Sequence, residues 1–368
     1  MKNADPSRQS GPVDMGRAPF DVAIEGELAA ILRGLGVGLA IASYQSSSVV
    51  VVSAEGNEIS VLPRAFEKPM SVAADPAGRL AIATRNEVVV LAPSSALAAG
   101  YPRAPNRYAQ LWLPRTVHFT GEVDLHDLAF SGGDLVGVAT RLSCLARIDS
   151  FASVTPLWRP PFISDLVPED RCHLNGVGLD AQGVPRFATA LGTTDTPEGW
   201  REARVKGGVL LDIRDGRTVL AGLCMPHSPR LFGEDLYVLD SGKGEVLNVN
   251  TSSGAARIVA TLPGYLRGFA VHGDLLFVGM SRLRDRNGAG KTPLPVEEVG
   301  DLCCGIAVLD RASGRTIATL RFTNGAAEVS DLALIPGQGR HGLLNHTDPS
   351  HRSALSLPDQ GFWAALPR

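Results

Sequence analysis

A four-part pattern of short strands recurs along most of this chain, and only a fold built from repeated units accommodates it. Residues 226–263 read PHSPRLF, a GE turn, DLYVLD, SGKG, EVLNVN, a TSSG turn and AARIVATL. Residues 266–322 repeat the order as RGFAVH, LLFVGM, GIAVLD and RTIATLRF, with a long insert after the second run. The same order appears in 173–223 (HLNGVGL, VPRFATA, GGVLLDI, RTVLAGL), in 125–150 (HDLAF, DLVGVAT, CLARID) and in 70–93 (MSVAAD, RLAIAT, VVVLAP). Apolar runs of this length, punctuated by Gly, Asp and Asn, are antiparallel strands joined by tight turns.

What is left over completes the pattern. Residues 36–62 (GVGLAIASYQSSSVVVVSAEGNEISVL) supply second, third and fourth strands without a first, and 328–336 (EVSDLALIP) supply a first strand with nothing after it. Joined, they form a sixth unit closed by strands from both ends of the chain. The expected fold is therefore all-β: a six-bladed β-propeller of four-stranded antiparallel blades, whose closure leaves no exposed sheet edge. Residues 20–337 form that single domain. Residues 1–19, polar and rich in Pro and Gly, are expected to be disordered, and 338–368 to form an irregular tail. One short helix is expected between Asp21 as N-cap and Gly34 as the residue after the helix end.

Composition narrows the function classes. A net charge of −3 disfavours a general nucleic-acid or anionic-membrane binder. No run approaches the ~18 apolar residues of a membrane span, and the first nineteen residues lack the apolar centre of a secretory signal. Five cysteines, an odd number in a long chain, fit a reducing compartment, so a cytoplasmic protein is expected. Oligomeric state is left open.

In a four-stranded blade, the start of the inner strand and the connection between the second and third strands lie on one face of the disc. Residues far apart in sequence therefore converge on one mouth. His126, His173 and His227 fall at the inner-strand starts of three consecutive blades. Neutral imidazole is the commonest transition-metal ligand, so these three are candidate ligands for a divalent Zn, Fe or Cu ion. The alternative is that they only hydrogen-bond across the channel. Aligning the turns puts Asn175 level with His126 and His173 one pleat higher on the same face. Glu328 and Asp127 are candidate acid/base or ligand-orienting groups. Arg85, Arg141, Arg201, Arg267, Arg282 and Arg284 map to the same face, where guanidinium forks suit a carboxylate or phosphate. Arg267 is the best placed of them, and Asn175 and Ser228 are further candidate substrate contacts. Inserts at 156–172, 192–206 and 281–303 border this face, with Trp158, Phe162 and Trp200 as candidate apolar walls. There is no P-loop, no GxGxxG opening a helix and no GxSxG elbow, so no nucleotide cofactor and no serine nucleophile are expected.

The stretches PEDRCHLNG (168–176), MPHSPR (225–230), LHD (125–127), SGKGE (241–245) and LPGYLRGFA (262–270) carry a resemblance. Through them the chain resembles an uncharacterised bacterial family, a conserved domain of unknown function, over roughly 20–337. That family implies no reaction. More distantly, the six-blade layout is similar to gluconolactonase-like and strictosidine-synthase-like propellers. The gluconolactonase-like group implies a divalent metal at the channel mouth held by carboxylate and Asn ligands, where this chain offers histidines. The expectation is a metal-dependent enzyme acting on a small anionic molecule. The alternative is a non-catalytic propeller binding a small anion or a protein partner through the same face.

Overall fold

A computed structural model of the chain describes residues 20–75, 77–283 and 292–365. The expected disordered stretch 1–19 and the candidate Arg284 lie outside the described residues. Six four-stranded antiparallel blades account for the repeat. Blade 1 takes its inner strand, Asp331–Pro336, from the end of the chain and adds Val37–Ser43, Ser48–Glu55 and Glu58–Ala65 from the beginning. Blade 2 runs from its inner strand Ser71–Ala74 to its outer strand Gln110–Phe119, and blade 3 from Leu125–Ser131 to Thr155–Trp158. Blade 4 runs from Leu174–Leu179 to Thr218–Leu223, blade 5 from Pro226–Phe232 to Ala256–Thr261, and blade 6 from Tyr265–His272 to Thr316–Phe322. Each inner strand packs against the inner strands on both sides, all the way round the ring.

The physical reason for the ring is visible in the core. The middle strands are buried on both faces (Val49 to Val52 and Leu80 to Ala83 are among the buried residues), and this explains their continuous apolar runs. Apolar clusters fill the seams between neighbouring blades, for example Val136, Val138, Leu145, Val177, Ala188 and Leu211 between blades 3 and 4. Each blade therefore buries its faces only against its neighbours, so the ring has to close. Where inner strands crowd together, only glycine fits. Gly268 has φ +75°, and a Cβ there would lie 2.7 Å from the Leu332 nitrogen.

Two sequence expectations are corrected. The helix is shorter and later than expected, spanning Leu28–Leu35 and closed by Gly36 in the left-handed conformation. Residues Val22–Gly26 form a fifth strand on the outside of blade 6, paired with Ala318 to Phe322. Val22 packs against the core while Ile24 stays exposed, and Leu28 and Leu32 are the buried residues of the helix. The tail is also not irregular throughout. His341–Leu343 pairs in parallel with the outer strand of blade 2, and Ala354–Ser356 pairs with Gly361–Trp363 as a hairpin. Among the described residues no helix is long and apolar enough to cross a membrane.

Candidate functional site

Inner-strand register decides what reaches the channel mouth. Leu125 pairs with Ala139, Leu174 with Ala190, Pro226 with Asp240, and Leu266 with Met280. The residues that follow are therefore equivalent: His126, Asn175, His227 and Arg267. The residues that precede the first three, Asp124, His173 and Met225, all have left-handed backbone, with φ of 59°, 51° and 52°. Non-glycine residues adopt this conformation at a cost, and such strain concentrates at functional sites. Thus Asn175 stands level with the other histidines while His173 approaches from the strained position before the strand.

His126 and His227 sit in matching niches. The Nδ1 of His126 lies 2.8 Å from Thr140 Oγ1 and 3.3 Å from the Asp124 carbonyl. The Nδ1 of His227 lies 3.0 Å from both Ser241 Oγ and the Met225 carbonyl. In each case the hydroxyl is fourteen residues downstream and the carbonyl two residues upstream. The His173 Nδ1 lies 2.8 Å from Asp170 Oδ2, and that carboxylate also accepts the Trp200 indole hydrogen at 3.0 Å. A carbonyl or carboxylate only accepts, so all three rings carry their hydrogen on Nδ1 and keep the Nε2 lone pair. No hydrogen bond from these Nε2 atoms to protein is present among the described residues.

His341 makes the contrast plain. It is fully buried at the seam with the tail. It accepts from Trp112 at 3.0 Å on Nδ1 and donates to the Gly337 carbonyl at 3.0 Å from Nε2. A structural histidine here uses both nitrogens, whereas each mouth histidine uses one.

The three mouth histidines line one cavity of about 650 Å³, together with Arg267, Glu328, Arg201, Arg282 and Tyr265. The His126 and His173 rings meet edge to face at 4.7 Å, and His173 lies 4.3 Å from the Trp200 ring. Burial pulls the His126 imidazole down to about 4. Asp124 opposes that shift, and His173 and Arg267 reinforce it. Burial likewise holds His227 well below its usual value, with the Arg267 charge next in importance. Both are neutral at pH 7. Arg267 is only 8% exposed. It donates from Nη1 to Glu328 at 3.2 Å and from Nη2 to the Met70 sulfur at 3.2 Å.

The other candidates divide. Arg201 lines the cavity, pairs with Glu198 at 2.6 Å and stacks on Trp200. Arg282 lines it and donates to the Phe322 carbonyl at 3.2 Å. Arg85 and Arg141 line a smaller neighbouring cavity of about 190 Å³. Asn175 and Ser228 are off the cavity wall. Asn175 is held by the Pro226 carbonyl and Thr189, and Ser228, φ +51°, sits in the bulge of the blade 5 inner strand. Asp127 is also off the wall, locked below the mouth: it accepts from Leu128 N, Val177 N and both Nη atoms of Arg230. Trp158 and Phe162 pack between blades 3 and 4, which leaves Trp200 as the wall residue of the three. The sequence reading missed Asp170 and Thr140, and it placed Ser241 on the mouth face without its bond to His227. The repeated fourteen-residue spacing from histidine to hydroxyl was the signal for Thr140 and for the Ser241 bond.

Among the described residues no group of three or more His, Cys, Asp or Glu side chains is arranged to hold a metal ion. The described cysteines are all free, and burial raises their thiols, with Cys172 and Cys304 pushed up to about 12, so they are protonated and inert.

The family described as "Domain of unknown function (DUF4915)" matches residues 26–344. Among solved structures, a protein of unknown function from Bacteroides caccae is 10% identical. It covers 82% of this chain and 99% of its own, with a TM-score of 0.52. A chain of a nidogen/laminin complex is 12% identical and covers 83% of this chain and 100% of its own, with a TM-score of 0.55. At such identities the likeness extends to the fold alone. Comparison with curated proteins gives no match.

Proposed function

The chain belongs to that family of unknown function, and we propose from its site that it is a metal-dependent enzyme acting on a small carboxylate- or phosphate-bearing molecule at the channel mouth. The observation that carries this reading is the shared state of three histidines. Each Nδ1 is held by oxygen, and each Nε2 lone pair is left over in a ring lining the same cavity. Oriented imidazoles of this kind are what a metal site requires, and three of them favour Zn, Fe or Cu over Ca or Mg. The rings as placed are not gathered into a ligand group, so the proposal includes a side-chain adjustment on loading. A bound ion of this type polarises a substrate oxygen or acidifies a bound water.

The chain's own residues supply the rest. Arg267 anchors the anionic group, with its guanidinium steadied by Glu328 and Met70. Glu328, on the same wall, is the acid/base group. Trp200 closes the side of the cavity next to His173 and limits water. Asp127 is committed to Arg230 and takes no part in proton transfer.

Elemental analysis of protein purified without a polyhistidine tag tests the reading. The expected result is about one transition-metal ion per chain, lost in the His126→Ala, His173→Ala, His227→Ala triple variant. A second reading is favoured by the ungathered ligand set: the same mouth binds a small anion without turnover. It predicts no stoichiometric metal in either sample.

A further inference from the structure

The smaller cavity shares Tyr44, Met70 and Asp124 with the main one, so the two are compartments of one recess. Met70 is the wall that also holds Arg267. Beyond it stand three cations, Lys68, Arg85 and Arg141, and two acids, Glu122 and Asp124. Both acids face groups other than Lys68 and Arg141: Glu122 lies 3.5 Å from Arg85, and an Asp124 oxygen lies 3.6 Å from the His126 Nδ1. Arg85 is further held by Glu67 at 2.6 Å. Lys68 sits 5.4 Å over the Tyr44 ring on a left-handed backbone, φ +46°. Among the described residues neither Lys68 nor Arg141 has an acidic group within 4 Å. Two cations with no acidic partner therefore face a compartment of about 190 Å³, room enough for one anionic group.

Resting on the proposed reading of the main site, we propose that the substrate carries two separated anionic groups, one anchored at Arg267 and the other seated between Lys68 and Arg141. Its body passes Met70 between the compartments. Tyr44, common to both walls and under the Lys68 ammonium, borders that passage. Two anchors joined through one ligand act together, so the second raises affinity without a new protein contact elsewhere. The substrate class is a small dicarboxylate or a phosphorylated carboxylic acid.

The test is calorimetric titration of the full chain with three probes: 3-phosphonopropionate, propionate and inorganic phosphate. The expected result is that the dianion binds at least ~10-fold more tightly than either single anion. Arg141→Gln and, separately, Lys68→Gln remove most of that advantage and leave propionate binding unchanged, while Arg267→Ala abolishes propionate binding. Both neutralised side chains reach into solvent-facing space, and an unaltered melting temperature confirms that the variants fold. Equal affinity for propionate and 3-phosphonopropionate, with propionate still dependent on Arg267, overturns the second subsite and leaves the main-site reading intact. Binding of none of the probes contradicts both.

Discussion

Two polar belts cross the channel, and they are built on opposite principles. In the lower belt every strong group is spent. Asp127 joins blades 3, 4 and 5 through Val177 and Arg230, and Arg230 reaches on to the Phe269 carbonyl in blade 6 at 3.2 Å. Asp331 fastens the ring-closing strand to blade 2 by accepting from Ser71 Oγ at 2.6 Å and Val72 N at 3.0 Å. At the mouth, by contrast, three imidazoles, those of His126 and His227 buried and that of His173 partly exposed, each leave a nitrogen uncommitted, and strained residues lie beside them. Buried polar groups normally find partners, so the saturated belt reads as a fastening and the unsaturated one as a binding site. Polar residues on or beside the same inner strands thus serve different ends, and hydrogen-bond accounting separates them.

The comparison breaks first at the lower belt. Asp127→Ala leaves the Arg230 guanidinium without its carboxylate and is expected to cost about 3–5 kcal/mol, read by chemical denaturation. His126→Ala or His227→Ala at the mouth should cost no more than about 1 kcal/mol and yet abolish metal binding. A mouth variant as damaging as the belt variant would erase the distinction. Next in size are the orienting hydroxyls. Thr140→Val and Ser241→Ala should each weaken metal affinity about 10–100-fold with the fold intact, measured by competition with a chelator. Unchanged affinity in both would make the matched niches irrelevant to function.

The smallest effect is a pair of opposed pH dependences in the metal-free protein. Asp331 is pushed up to about 7 by burial and by the Asp127 charge, so the folded state holds a proton that the unfolded state releases near pH 4. Its contribution is present at low pH and fades as pH rises toward 7. His126 and His227 shift downward, so the unfolded state takes protons that the folded state refuses below about pH 6.5. Their contribution is present at neutral pH and is lost on acidification, for His126 until about pH 4. Denaturation series from pH 4 to 7 should show Asp331→Asn removing the loss on the rising side and His126→Gln reducing the loss on the falling side. A wild-type-like slope in both variants would refute the assignment.

The blades were legible in the sequence because each strand pair carries its own turn signal, and the split blade because its two halves complement each other. His126, His227 and Arg267 were legible for the same reason, since strand position places them, whereas His173 reaches the mouth from a left-handed residue before its strand, which the expected pleat did not show. Asp170 was not, because it reaches His173 from an irregular insert with a left-handed backbone. Asp127 read as a reactive neighbour of His126, and only the Arg230 contact across 103 residues shows it to be a fastening. The strand Val22–Gly26 was misread because two apolar residues fit a strand and a helix equally well, and its partner lies some 300 residues away in sequence.

The most direct test of the central claim is anomalous scattering from crystals of the metal-loaded, untagged protein. The account predicts one peak at the channel mouth with the Nε2 atoms of His126, His173 and His227 at about 2.0–2.1 Å. A metal peak bound elsewhere, or no peak with these three imidazoles still apart, would contradict it.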